Sequence, residues 1–182
     1  NTGTDILALD NTYSNLLSIK GHLYIAGGYF NPGGFTVEIE GNWVNIAGSG
    51  AFQEAASTVR FNGPGHQVIT GTQNFNVLEA ALGAAIRVTN ASDIISCNTY
   101  DWTSGGIDVI SGTFTANDLA DDGIYGGFWL NPGGTINLSN YDDYVDLNCE
   151  LHIFGGNMNI FGGTDDSYWA YANDCLLDLD GG

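Results

Sequence analysis

Short segments in which apolar and polar residues alternate recur along this chain. The segments LYIAGGYFN (23–31), IDVISGTFT (107–115) and LHIFGGNMN (151–159) share one pattern of apolar, small and glycine positions. Alternation with a period of two, closed by glycine or asparagine, predicts a short β-strand with one buried face. Helical spacing is not sustained anywhere, and even LEAALGAAI (78–86) is short and interrupted by Gly83. The pattern therefore predicts an all-β protein.

The segments are spaced regularly enough to define a repeat. Their starts lie 84 residues apart (23 to 107) and 44 residues apart (107 to 151). These distances are close to four and two steps of about 21–22 residues, a period typical of solenoid units. The first apolar position of each unit is predicted at Leu23, Val44, His66, Ile86, Ile107, Phe128, Leu151 and Leu177. The second is predicted at Ile25, Ile46, Val68, Val88, Val109, Leu130, Ile153 and Leu179, all aliphatic.

A second series of matching segments supports the repeat. TVEIEGN (36–42) and TVRFNGP (58–64) share their valine, apolar and glycine positions at a spacing of 22 residues. Two or three short strands per unit predict a right-handed parallel β-helix (a β-solenoid) of about eight coils with ~21–22 residues per coil. Double glycines are expected at its corners, where the backbone turns tightly. A β-sandwich also uses many short strands, but it has no reason to keep this spacing.

Composition narrows the classes of partner. The chain has 182 residues and a net charge of −18, with 21 acidic and three basic residues. Such a charge repels phosphate backbones and anionic lipids, and no apolar run reaches the ~20 residues that span a bilayer. We therefore expect no nucleic acid and no membrane insertion, and partners that are glycans, cell-surface components or copies of this chain bound end to end. Cys97, Cys149 and Cys175 lack metal-site spacing and are expected to be buried thiols, with one disulfide at most as the alternative.

Several segments resemble a known group of repeats. STVRFNGPGHQVITGTQNFNVLEA (57–80), GNWVN (41–45) and the segment 151–182 are similar to repeats of large secreted surface proteins of Bacteroidota and related phyla. Those repeats typically read T-V-x-F-N-G-x-G-x-Q-x-I-x-G. The resemblance implies a secreted or cell-surface location and a structural role with no specified chemistry. It also implies that residues 1–182 form a single β-helix segment, an excerpt of a longer chain.

A carbohydrate-active enzyme is the main alternative, because parallel β-helices also host polysaccharide lyases and glycosidases. Lyase chemistry needs a strong base, and Arg60 and Arg87 are the candidates. Both lie between two inward positions, so we expect them to face outward as surface residues. Glycosidases need carboxylates about 5–5.5 or 6.5–9.5 Å apart, and neighbouring coils would supply the shorter distance in any case. No catalytic residue is assigned.

Two further functions receive little support from the sequence. The histidines His22, His66 and His152 fall in different predicted coils, and His66 is expected to be a hydrogen-bonded core or edge residue rather than a metal ligand. Ice binding would need flat arrays of threonine at matching positions. The threonines of this chain are dispersed along the sequence, which disfavours that function.

Paired aspartates recur at a fixed offset, 14 and 15 residues after Ile107, Phe128 and Leu151. If stacked at one corner, they would place like charges about 4.8 Å apart, where an oxygen-seeking calcium ion could bridge them. The candidate calcium ligands are Asp101, Asp121, Asp122, Asp142, Asp143, Asp165 and Asp166. The aromatic residues that follow are candidate carbohydrate-binding residues, namely Trp102, Tyr125, Tyr144, Tyr168 and Trp169. Solvated turns are the alternative, since aspartate is favoured in turns.

These observations favour a structural or adhesive role over a carbohydrate-active one. The leading expectation is a non-catalytic, extracellular, structural or adhesive β-solenoid segment of a surface or fibre-forming protein, with calcium as the one candidate cofactor. The alternative is a carbohydrate-active enzyme or a carbohydrate-binding module built on a β-helix.

Overall fold

A computed structural model describes residues 6–8, 15–102, 104–120, 127–139, 144–146, 150–161, 169–171 and 177–179. These residues form 18 β-strands and one short 3-10 helix, Ser49–Ala51. The strands are β1 Ile6–Ala8, β2 Leu16–Ile19, β3 Leu23–Ile25, β4 Tyr29–Asn31, β5 Thr36–Ile39, β6 Trp43–Asn45, β7 Thr58–Phe61, β8 His66–Thr70, β9 Thr72–Ala80, β10 Ala85–Val88, β11 Ile94–Trp102, β12 Gly106–Ala120, β13 Gly127–Ser139, β14 Tyr144–Asp146, β15 Glu150–Ile153, β16 Asn157–Phe161, β17 Trp169–Tyr171 and β18 Leu177–Leu179. The strands pair in parallel, so the all-β parallel solenoid predicted from the sequence is confirmed.

The strands form three parallel stacks, because each coil of the chain crosses three sides in turn. Stack A contains β3, β6, β8, β10, the first parts of β12 and β13, β15 and β18. Stack B contains β4, the first parts of β9 and β11, the middle of β12, the second part of β13 and β16. Stack C contains β2, β5, β7 and the last parts of β9, β11 and β12.

The solenoid has about six turns, slightly fewer than the eight coils predicted. Six turns cross all three stacks, and one of these crosses stack B with only an isolated bridge between Phe30 and Phe52. Beyond them, β15 and β18 extend stack A and β16 extends stack B, while β14 and β17 pair separately. The spacing of 22 residues predicted between 36–42 and 58–64 is confirmed, since Thr36 aligns with Thr58.

The predicted register of stack A is wrong by one residue at β6. Leu23 aligns with Trp43 and Ile25 with Asn45, rather than with Val44 and Ile46. Trp43 and Asn45 are buried, whereas Ile46 is 60% exposed. The reason is that Asn45 binds the corner that follows it: its amide donates to the Gly48 carbonyl at 3.0 Å, and its carbonyl accepts from the Ala47 N–H at 3.1 Å. An inward polar residue of this kind breaks the apolar alternation.

The same error occurs at β8, where Gln67 and Ile69 point inward instead of His66 and Val68. The Gln67 amide donates to the carbonyls of Ile39 at 2.9 Å and Gly41 at 2.7 Å. Its carbonyl accepts from the Gly63 N–H at 2.9 Å, so one buried side chain satisfies three backbone groups of the corner. His66 is exposed at the start of β8, so the core position predicted as one alternative for it is wrong.

The corrected register gives stack A a continuous column. In order, it reads Leu23, Trp43, Ile69, Val88, Val109, Leu130, Ile153 and Leu179. Leu23 therefore aligns with the predicted second positions and not with the first. The remaining second positions from Val88 onward keep their predicted alignment.

Aromatic side chains form two clusters in the core. Trp43 packs against Phe52 at a centroid distance of 4.7 Å and against Phe75 at 5.1 Å, and Phe30 joins them. The second cluster consists of Tyr100, Trp102, Phe114 and Phe128, with centroid distances of 5.2 to 5.7 Å. Tilted and edge-on ring pairs at these distances are favourable beyond the apolar area that they bury.

Glycines form a column at the corner between stacks A and B, at Gly71, Gly112, Gly134 and Gly156. The coil between the first two has Asp93 in this position instead. The Asp93 carboxylate is buried and accepts hydrogen bonds from the Gly71 N–H and from the Asn90 amide. The corner role predicted for double glycines is confirmed at 155–156, where both residues have positive φ.

Candidate functional site

Most of the predicted site residues lie outside the described residues. These are Asp121, Asp122, Asp142, Asp143, Asp165, Asp166, Tyr125 and Tyr168. Tyr144 and Trp169 are described by their backbone, and they are register partners in β14 and β17. Asp101 and Trp102, at the end of β11, are described in full.

For Trp102 the predicted surface position is wrong. Its side chain is 1% exposed, and its ring lies 5.4 Å from Tyr100 and 5.5 Å from Phe128, inside the second aromatic cluster. The reason lies within β11, where Asn98 and Thr99 both face away from the core as the strand passes from stack B to stack C. Two successive outward residues invert the alternation, so Trp102 faces the core and Asp101 faces outward.

Asp101 ends an outward column of charged residues on stack C. In register order this column is Glu38, Arg60, Glu79 and Asp101. Arg60 lies between two carboxylates: its Nη1 is 3.0 Å from Glu38 Oε1, and its Nε is 2.7 Å from Glu79 Oε2. The hydrogen bond to Glu79 and the charges of both glutamates raise the pKa of Arg60. Arg60 is thus held as a cation, which opposes a role as a general base.

Arg87 is engaged in a similar way on stack A. Its Nε lies 2.8 Å from Oδ2 of Asp108, whose Oδ1 accepts a hydrogen bond from the Asn131 amide at 3.0 Å. The outward positions predicted for Arg60 and Arg87 are therefore confirmed. Both guanidinium groups stabilise contacts between neighbouring coils.

Two further kinds of reactive group concern the described residues: the Cys97 thiol and side chains that could bind a metal ion. Cys97 is a buried free thiol, as predicted, whereas Cys149 and Cys175 lie outside the described residues. Burial raises the pKa of the Cys97 thiol, so it is not poised to act as a nucleophile. Among the described ranges, no group of three or more His, Cys, Asp or Glu residues is arranged to hold a metal ion. Within the same part of the chain, no helix is long and apolar enough to cross a membrane.

The outward face of stack B is a lattice of neutral polar side chains, here called the neutral face. Its rows are the segments TQNFN (72–76), IISCN (94–98), TFTAN (113–117), TINLS (135–139) and NMN (157–159), which lie in register. The first outward column contains Thr72, Ile94, Thr113, Thr135 and Asn157. The second contains Asn74, Ser96, Thr115, Asn137 and Asn159. No charged residue occurs in these rows.

Hydrogen bonds between coils fix the second column of the neutral face. The Ser96 hydroxyl donates to Asn74 Oδ1 at 2.9 Å. The Asn137 amide donates to Thr115 Oγ1 at 3.2 Å, and the Asn159 amide donates to Asn137 Oδ1 at 2.8 Å. This face was not predicted from the sequence, although a signal exists. The segments GTQN, GTFT, GTIN and GNMN share the pattern glycine, then Thr or Asn, then any residue, then Asn or Thr.

A stack of aromatic rings, also not predicted from the sequence, lies on the outward side of stack A. Trp129 and His152 are register partners, with ring centroids 5.5 Å apart and planes within 6° of each other. Phe154 extends the stack from His152 at 6.2 Å. All three side chains are at least partly exposed. These three rings are accessible at the surface of the solenoid, whereas the ring of Trp102 is buried.

No model of a known protein family matches this chain. No curated protein and no solved structure matches it either. Function is therefore inferred from the surface chemistry of the solenoid itself.

Proposed function

We propose that this chain is a non-catalytic β-solenoid segment of an extracellular surface or fibre-forming protein. It would act as a stiff rod that spaces or displays a binding surface for glycans or other cell-surface components. One observation carries the proposal: a single 14-stranded parallel sheet runs through the solenoid, with a continuous buried core. Each coil is bonded to its neighbours along its length, which makes a solenoid resist bending. The resemblance to secreted repeats of Bacteroidota supports the extracellular location.

The chemistry of the described side chains favours display over catalysis. Arg60 and Arg87 are committed to carboxylates of neighbouring coils, and the Cys97 thiol is buried. A general base or a nucleophile needs a pKa matched to its task and access to substrate. Arg60 and Arg87 are instead ion-paired and Cys97 is buried, as is usual for residues with a structural role.

Carbohydrate binding without turnover is a second candidate, favoured by the ring stack of Trp129, His152 and Phe154. Exposed rings offer apolar faces and edges to a sugar. A glycan array and a hydrolysis screen, run on the same preparation, test both candidates. We expect no turnover, and any glycan bound through the ring stack should be lost in Trp129→Ala but retained in Tyr24→Ala, which removes an exposed ring from an earlier coil. Hydrolysis that disappears when one aspartate pair is replaced would contradict the structural role.

Calcium binding by the aspartate pairs is a further part of this proposal. With three basic residues in the chain, protein cations are too few to neutralise a column of aspartates. Weak calcium sites between adjacent coils would relieve the repulsion, because calcium accepts oxygen ligands in irregular geometry. We expect the melting temperature to rise with calcium and to fall with a chelator. Replacing Asp142 and Asp143 together by asparagine should remove this difference.

Two results of these melting experiments would contradict calcium binding by the aspartate pairs. If the melting temperature does not respond to calcium, the aspartates are solvated turn residues. The same conclusion follows if the double substitution raises the melting temperature equally with calcium and with chelator. An Asp118→Asn variant controls for the general loss of negative charge. Asp118 lies in β12, the last strand of stack C, at an outward position next to Thr99.

A further inference from the structure

We propose that the neutral face of stack B binds ice, by holding a layer of ordered water on its array of hydroxyl and amide groups. The proposal goes beyond the structural role above and assigns a ligand to one side of the solenoid. It rests on the regularity of this face, the lack of charged residues in its rows and the fixed positions of its side chains.

The spacing of the neutral face repeats in two directions. Along the solenoid axis, successive rows are separated by about 4.8 Å, the distance between paired strands. Along each strand, alternate outward residues are separated by about 6.6 Å. Five rows lie in continuous register from 72–76 to 157–159, so the array is about 19 Å long. A crystalline surface is the kind of ligand that a two-dimensional repeat of this size can match.

The rows of this face contain no charged residue, and the one carboxylate that contacts them in the described part of the chain is Glu54, whose Oε1 accepts a hydrogen bond from the Asn74 amide at 3.1 Å. The five rows contain no Asp, Glu, Lys, Arg or His, although the chain carries 21 acidic residues. An ion would orient the surrounding water around itself, whereas hydroxyl and amide groups both donate and accept hydrogen bonds, as water does. One outward column of stack C, from Glu38 to Asp101, consists of charged side chains instead.

The composition of the face favours ice over a neutral polysaccharide. Sugar sites combine polar groups with aromatic rings that pack on the sugar. The first two outward columns contain Thr, Asn, Ser and one Ile, with neither a ring nor a carboxylate. The rings that could pack on a sugar lie on stack A, at Trp129, His152 and Phe154.

The side chains of the neutral face are held in place before any ligand arrives. The second column is linked between coils by the hydrogen bonds from Ser96, Asn137 and Asn159. Threonine is β-branched and therefore has few accessible rotamers. Directly beneath lie buried residues such as Phe75, Phe114 and Ile136, which fix the strands. A surface ordered in advance loses little entropy when it binds.

The structure answers part of the objection raised by the sequence. Three of the five residues in the first column and one of the five in the second are threonines, and the others are Asn, Ser and Ile. The threonines appear dispersed because 41 residues separate Thr72 from Thr113 and 22 separate Thr113 from Thr135. The intervening coil places Ile94 between Thr72 and Thr113, so all of these residues share one column. The threonines are therefore aligned in the structure although the intervals between them in the sequence differ.

Thermal hysteresis and partitioning into a slowly growing ice crystal test the proposal on the full chain. We expect the wild type to lower the freezing point below the melting point and to become enriched in the ice. The variant Thr113→Lys/Thr135→Lys should lose both properties. The matched control is Thr36→Lys/Thr58→Lys, which makes the same double change at two paired outward positions of stack C and should keep both. Circular dichroism and a thermal melt establish that each variant is folded.

A second variant covers the case in which the double lysine substitution impairs folding. Asn137→Asp keeps the shape of the side chain and places one charge in the hydrogen-bonded column, so it should reduce hysteresis in a folded protein. The proposal is overturned if the wild type shows neither hysteresis nor enrichment in ice, or if folded Asn137→Asp retains full activity. Binding to insoluble neutral polysaccharide that is lost in Asn137→Asp, without ice activity, would assign the face to glycans and also overturn it.

Discussion

Replacing Trp43 by alanine is expected to lower the free energy of unfolding by about 3–5 kcal/mol, the usual cost of removing a large buried ring. Trp43 is fully buried and contacts Phe52 and Phe75 at centroid distances of 4.7 and 5.1 Å. Its Nε1 also donates a hydrogen bond to Gln73 Oε1 at 2.7 Å, and the substitution leaves that buried oxygen without its donor. Denaturant unfolding followed by circular dichroism measures the change.

Two neighbouring substitutions provide the controls. Val44→Ala changes the next residue of β6, which faces outward, and Tyr24→Ala removes a ring that is 59% exposed in the adjacent coil. Each should cost less than about 1 kcal/mol, as is usual for surface positions. A larger effect for Val44→Ala than for Trp43→Ala would mean that the register predicted from the apolar pattern is correct and the observed one is not.

Gly71→Ala is expected to destabilise the solenoid by about 3 kcal/mol or more, since backbone strain and steric overlap act together. Gly71 has φ +101°, and a Cβ added there would lie 2.0 Å from the Asn45 carbonyl oxygen of the preceding coil. That oxygen belongs to the backbone, so the two coils must move apart. The movement would also disturb the hydrogen bond from the Gly71 N–H to Asp93 Oδ1. Calorimetric melting should detect a lower midpoint.

Gly48→Ala separates the two causes. Gly48 has φ +102°, almost the same as Gly71, but no atom lies within 4 Å of a Cβ built on it. Its replacement should therefore show the backbone cost alone, about 1–3 kcal/mol. Equal losses for the two variants would show that close approach between coils adds nothing at Gly71.

The apolar alternation predicted the strands and the period well, but it could not place the buried polar residues. Asn45 and Gln67 satisfy backbone groups at corners, and a residue's partners in another coil are not visible in a linear pattern. In both coils the pattern selected the neighbouring apolar residue, Ile46 or Val68, which shifted the register by one. A one-residue shift exchanges the inward and outward faces of a strand, so residues predicted to be buried in β6 and β8 face outward and their neighbours face inward.

The surface features were harder to predict than the core for a related reason. One coil carries Ile94 in the column of Thr72, Thr113 and Thr135, and successive coils differ in length (22, 19 and 22 residues), so these threonines appeared unrelated. Trp102 was misplaced because Asn98 and Thr99 both face away from the core, which inverts the alternation within one continuous strand. Knowing the outward columns required the register of all neighbouring coils, which only the three-dimensional structure provides.

The nearest-neighbour construction of the stacks has a consequence for how a gene of this kind can change in length. Each coil bonds mainly to the coils before and after it, so duplicating one whole coil through recombination supplies both neighbours with partners of the same kind. A coil carrying the G-[TN]-x-[NT] row would add one row to the neutral face, and the area of that face would grow in fixed steps. An insertion of an odd number of residues within a strand would instead move the inward side chains that follow it to the outward face, and the outward ones to the core. Selection on such a surface would therefore act on whole coils as heritable units.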